Sequence, residues 1–192
     1  PEDLKWGLWE TIETRTFPGS VSNHHLGTLL GQLMAAYEMN AFKDEYQKAV
    51  VENAKHFAKS LAAEGLDVAG DPAMDYTETH QVIVKVGYAH GPEVADRLEA
   101  NNIICNYQAT PEEEGFSASG ALRMGVNEMT RFGFGKEDFA KLAHLIADCV
   151  LHNANVKDEV KKLREAHLEM HYCFSDKETD ALLADFAAAT GI

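Results

Sequence analysis

Apolar residues in the first third of the chain recur at helical spacing. The stretch EDLKWGLWETIE, residues 2–13, reads as a helix that stops before TFPGS, where Pro18-Gly19 breaks the chain. A second helix is expected through HLGTLLGQLMAAYEM, residues 25–39, with Leu26, Leu29, Leu30, Leu33 and Met34 as its apolar stripe. Ser22 or Asn23 is the type of residue that caps such a helix, and Asn40 offers a short break after it. KDEYQKAVVENAKHFAKSLAAEG, residues 43–65, then predicts a long amphipathic helix. Val50, Ala54, Phe57 and Leu61 share one face, and Gly65 stands at the C-cap.

From His80 the period changes. HQVIVKV, residues 80–86, is a β-branched run and predicts a strand. GPEVADRLEAN, residues 91–101, predicts a short helix with Pro92 near its start. IICN (Ile103 to Asn106) and ALRMG (Ala121 to Gly125) predict two more strands, joined by the polar stretch QATPEEEGFSAS. KEDFAKLAHLIADCVL, residues 136–151, is a helix with Phe139, Leu142, Leu145, Ile146 and Cys149 on its core side. VKDEVKKLREAHLEMH, residues 156–171, predicts another. Ser175 and Glu178 form a capping box for a last helix, KETDALLADFAAA. The pattern gives an α/β fold: a helical first part without a sheet of its own, then a few strands with the helices at 91–101 and 136–151 over one face.

Composition narrows the class of partner. The 192 residues are 45% hydrophobic and 25% charged, an ordinary globular balance. The net charge of −14 argues against nucleic acid, which wants basic patches. Cys105, Cys149 and Cys173 are odd in number and widely spaced, which fits a reducing compartment and a cytoplasmic location. No apolar run approaches the roughly 20 residues of a membrane span, and no signal peptide is visible. The sequence opens at Pro1 without a Met, so a fragment is expected.

Arg123 is the first candidate for chemistry. It lies between Leu122 and Met124 in a short apolar strand, where a guanidinium needs an anionic partner. That partner is either a substrate carboxylate held bidentately or a nearby acid such as Glu128. Its expected place is the edge of the sheet. Ser22 and Asn23 open a helix whose free N–H groups would favour a phosphate, or they are plain N-caps. His24 and His25 are adjacent and diverge on a helix. His167 and His171 are spaced i, i+4 on an expected helix with Cys173 behind them, but no fourth ligand accompanies them, so no metal is expected. The acidic PEEEGF stretch reads as a solvated turn. No Walker-type loop and no Ser-His-Asp order is present.

Several stretches in order resemble one family. TFPGSVSNHH, YQKAVVENAKHFAKSLAAEGLDV, ETHQVIVKV, NYQATP and SGALRMGVNEMTRFGF together are similar to the C-terminal portion of serine hydroxymethyltransferases, over about residues 1 to 172. SNHH is closer to the archaeal-type members. The resemblance implies a pyridoxal-phosphate enzyme of the aspartate-aminotransferase fold type, dimeric, with the Schiff-base lysine upstream of the matched region. None of the lysines here stands in the family's Thr-x-Lys-Thr setting, so this chain alone is expected to be inactive. Residues 1–40 would then end the large cofactor-binding domain and supply an interdomain helix. Residues 41–174 would form the small α/β domain, and 175–192 a helical tail.

The resemblance also implies roles. The arginine of the family's SG-x-R binds the amino-acid α-carboxylate and falls on Arg123, here in a spacing one residue longer. The segment after Phe-Pro-Gly contacts the cofactor phosphate across the dimer and falls on Ser22 and Asn23. The family's N-K-N-x-x-P is NYQATP here, with Tyr107 and Gln108 in place of Lys-Asn, which bears on use of tetrahydrofolate or a related pterin. The implied reaction makes or breaks the Cα–Cβ bond of a β-hydroxy amino acid. Alternatives are a folate-independent threonine aldolase or transaldolase, and a non-catalytic dimerisation or regulatory domain.

Overall fold

The computed structural model describes residues 6–110, 112–113 and 118–191. The chain falls into two compact units, Pro1–Ala41 and Phe42–Ile192. In the first unit, α1 spans Leu8–Thr16, and the expected residues 2–5 of that helix lie outside the described residues. Helix α2 spans Leu26–Ala63 without interruption. The break expected at Asn40 is therefore absent. Asn is only a mild helix breaker, and its neighbours Met39, Ala41 and Phe42 include no Gly or Pro to stop the ladder. Gly65, at φ +94, ends α2 as expected. Its N–H bonds the Ala62 carbonyl at 3.0 Å and the Leu66 N–H bonds Leu61 at 3.1 Å, the two bonds of a Schellman motif.

In the second unit the strands are β1 (Asp67–Val68), β2 (Gln81–Lys85), β3 (Asn106–Gln108) and β4 (Ala121–Gly125), in the order β1-β2-β4-β3, every neighbouring pair antiparallel. Helix α3 (Gly91–Ala100) connects β2 to β3, and β4 inserts between these two strands. β2 and β4 match the expected runs. The strand expected at Ile103–Asn106 begins three residues late, because Asn102 and Ile103 are taken up in ending α3. Asn102 adopts φ +63, its N–H bonds the Glu99 carbonyl, and the Ile103 N–H bonds Leu98 at 2.9 Å. Ladder pairing starts only at Asn106, opposite Arg123.

After β4 come α4 (Asn127–Arg131), α5 (Lys136–His152), α6 (Lys157–Glu165) and α7 (Asp176–Thr190). The helix expected over 156–171 stops at Glu165. Arg164 donates to the His167 carbonyl, His167 Nε2 lies 3.3 Å from Asp138 Oδ1, and the His171 N–H bonds the Arg131 carbonyl at 2.6 Å. These bonds draw residues 167–171 off the helical path. The expected capping box is present: Ser175 Oγ accepts the Glu178 N–H, and Glu178 accepts the Ser175 N–H at 2.8 Å.

One face of the sheet carries the core. Val82, Val84, Leu122 and Met124 pack with Val50, Ala54, Phe57 and Leu61 of α2, Val94 and Leu98 of α3, and Phe139, Ala143, Ile146 and Cys149 of α5. Phe139 lies between Phe57 and Phe134, ring centroids 5.3 and 5.4 Å away. Asn53 is a buried exception, satisfied by donating to Thr130 Oγ1 and the Phe134 carbonyl, both at 3.0 Å. Among the described residues no helix is long and apolar enough to cross a membrane.

Candidate functional site

The alternation of a strand decides where Arg123 stands. Leu122 and Met124 are buried in the core, so the residues between and beyond them face the other way. On β2 the same alternation buries Val82 and Val84 and turns Gln81, Ile83 and Lys85 to the second face. The register makes Ile83, Arg123 and Asn106 one cross-strand row on that face, with Lys85, Ala121 and Gln108 as the adjacent row. Arg123 is half-buried and lies on an interior strand, bonded on both sides, rather than at the sheet edge as expected. The edge assignment fails because β3 pairs outside β4.

Tyr107 belongs to the opposite face, opposite Leu122. Of the two changes in NYQATP, only Gln108 therefore shares Arg123's face. The pairing of Arg123 with Ile83 sets the face it takes, whatever the spacing from Gly120.

Arg123 lines a cleft of about 720 Å³ beside β4. Polar residues of its lining include His80, Gln81, Asn106, Asn127 and Glu128. Its apolar wall is made largely of residues of the core side, among them Phe57, Met124, Phe139 and Ile146, so the cleft is not confined to the second face of the sheet. No described acid pairs with Arg123 at ion-pair distance, Glu128 included. Cys105 also lines the cleft, and burial pushes its thiol up to about 11.

The start of β4 is fixed by backbone bonds. The Gly91 N–H, at the head of α3, donates to the Ser119 carbonyl at 2.8 Å, and the Val86 N–H donates to the Gly120 carbonyl at 2.8 Å. Gly120 leaves no room for a side chain: a Cβ there would fall on Glu113 Oε1 and lie 2.8 Å from the Gly87 carbonyl oxygen. Glu113 Oε2 accepts the N–H of Thr110 at 2.7 Å and of Gly120 at 3.1 Å. Glu113 belongs to the PEEEGF stretch expected as a solvated turn, yet it is half-buried and bonded. The signal that could have found it is the T-x-x-E spacing of Thr110 and Glu113, half of a capping box. Pro111 and residues 114–117 of the acidic stretch lie outside the described residues.

Ser22 and Asn23 belong to the first unit and are exposed. They stand four and three residues before α2, whose first turn is closed by the His25 carbonyl accepting the Leu29 N–H at 3.1 Å. Neither is at the N-cap position, because the helix starts later than the polar run suggests. They occupy the exposed segment leading into the helix N-terminus. His167 and His171 flank Gly133 in the second unit, and His167 is engaged by Asp138. Among the described residues no group of three metal-ligating side chains forms a site.

The model of the family described as serine hydroxymethyltransferase matches residues 2–146. The chain is 41% identical over 176 residues to the serine hydroxymethyltransferase of Pyrobaculum aerophilum, covering 89% of this chain and 40% of that protein. It is 38% identical over 177 residues to that of Archaeoglobus fulgidus, again 89% and 40%. Among solved structures it is similar to L-threonine transaldolase from Pseudomonas fluorescens, with TM-score 0.76 and 30% identity over 90% of this chain and 40% of that one. The chain thus spans about 40% of the length of these relatives, and the expected likeness to archaeal members is borne out. With the family's model running from before α1 into α5 and the α/β fold as expected, the chain belongs to the serine hydroxymethyltransferase family.

Proposed function

We propose that this chain is the C-terminal part of a pyridoxal-phosphate enzyme that makes or breaks the Cα–Cβ bond of a β-hydroxy amino acid, exchanging a hydroxymethyl group between serine and a tetrahydropterin. The observation that carries it is Arg123: a half-buried arginine that lines a cleft, with no described acid paired to it. A planar fork so placed suits a carboxylate. In this reading Arg123 receives the α-carboxylate and fixes the rotation about Cα, so that the bond to be cleaved is held in one orientation. Asn106, beside it in the row, offers an amide to the same ligand.

Pyridoxal phosphate, when bound, supplies the electron sink for the carbanion at Cα. This chain's donors suit its phosphate: Ser22 and Asn23, with His24 and His25, are exposed directly before the N-terminus of α2, where helix N–H groups favour an anion. The lysine that would hold the cofactor belongs to sequence outside this chain in this reading. The complete protein would act as a homodimer or higher homo-oligomer in the cytoplasm.

A second reading, a pterin-independent aldolase or transaldolase, is favoured by Gln108, which takes the place of the family's asparagine on the Arg123 face. One assay on the complete protein separates them. Conversion of L-serine to glycine that requires a tetrahydropterin supports the first reading. Cleavage of L-threonine at an equal rate with and without it, and no pterin-dependent serine conversion, supports the second.

A further inference from the structure

We infer that Glu113 is a positioning residue for the Arg123 site, acting as a latch that holds β3 and β4 in the register that places Asn106 beside Arg123. The inference rests on the reading of Arg123 as the carboxylate site. Glu113 Oε2 alone accepts two backbone N–H groups, from Thr110 at 2.7 Å and Gly120 at 3.1 Å. Thr110 lies two residues beyond the end of β3, and Gly120 is the residue before β4. The carboxylate therefore ties together the two ends of the stretch connecting the strands.

That stretch needs a tie. β3 is an edge strand of three residues with pairing only to β4, so few ladder bonds specify its register. A slip of one residue would turn Asn106 and Gln108 to the helix side and bring Tyr107 to Arg123's face. Gly120 is itself held on its other side, its carbonyl accepting the Val86 N–H, and a side chain at Gly120 would collide with Glu113. The latch is thus one fixed oxygen meeting one fixed backbone, three residues before the arginine.

Because both bonds converge on one oxygen, the charge is dispensable and the reach is not. A carboxamide oxygen has two lone pairs and can accept both N–H groups, whereas an aspartate is one methylene too short. In the complete protein, Glu113→Gln should therefore keep L-serine affinity near wild type. Glu113→Asp and Glu113→Ala should weaken it by between about tenfold and 100-fold, the scale of a displaced positioning group. Amide hydrogen exchange at Thr110 and Gly120 should accelerate in the Asp and Ala variants and not in the Gln variant. Combined with Arg123→Ala, Glu113→Asp should add no further loss, since it acts through the arginine.

If the Gln variant fails like Asp, or if exchange accelerates while L-serine affinity stays unchanged, the inference is overturned. An additive double variant overturns it as well. Should Arg123→Ala itself leave L-serine affinity unchanged, the carboxylate-site reading fails instead. The single-variant comparison at Glu113 keeps the two failures apart.

Discussion

Leu122 and Arg123 are consecutive in β4 and point to opposite faces of the sheet: Leu122 is 0% exposed in the core, and Arg123 is half-buried and pairs with Ile83 and Asn106 on the other face. One strand thereby carries both a core residue and the candidate site residue. Leu122→Ala should leave a cavity and cost about 2–5 kcal/mol. Denaturant unfolding measures this directly, and a loss well under 1 kcal/mol, about that of an exposed site, would show that Leu122 is not in the core.

Asn53 carries a different part of the fold. Its amide joins α2 to Thr130 of α4 and to the Phe134 carbonyl before α5. Asn53→Ala leaves both acceptors without this buried donor and should cost about 1–3 kcal/mol. Unfolding curves of the variant would be indistinguishable from wild type if the bridge contributed nothing.

The fold was legible in the sequence where local signals agreed with tertiary need. β4 was read to the residue because ALRMG combines an apolar run with flanking turns, and Gly65 marked the end of α2 because the left-handed C′ position favours glycine. Where tertiary bonds overrode the local pattern, the reading failed. Ile103 is β-branched and yet completes the end of α3, and residues 167–171 carry a helical pattern but are bound to Asp138 and Arg131. Of the candidate site, Arg123 stands out in the sequence and Glu113 does not. A lone arginine in an apolar strand stands out, whereas the partners of a backbone latch depend on which chain segments meet.

Cys105 should be a slow nucleophile. Burial raises its thiol to about 11, so near pH 8 only about one molecule in a thousand carries the thiolate. Alkylation by iodoacetamide followed by peptide mass spectrometry should label Cys105 far more slowly than a free cysteine. Labelling at the rate of the free amino acid would contradict the burial.

His144 gives a pH-dependent contribution of definite sign. A hydrogen bond to Glu64 at 3.1 Å, with Asp148 at 3.6 Å, raises its pKa above the ordinary histidine value. The stabilisation is complete below the unfolded-state value of about 6.5 and is lost as pH rises through the higher folded-state value. The group is exposed, so the effect is small and salt-sensitive. His144→Gln should lower the urea midpoint more at about pH 5.5 than at about pH 8.5. An equal change at both would remove the assignment.

The central claim is that Arg123 holds a carboxylate rather than stabilising the sheet, and Arg123→Ala in the complete protein tests it, read by L-serine affinity and by unfolding together. The account predicts affinity lowered by the equivalent of about 2–5 kcal/mol, no rescue by Arg123→Lys, and stability changed by less than about 1 kcal/mol. Lost stability with unchanged affinity would contradict it.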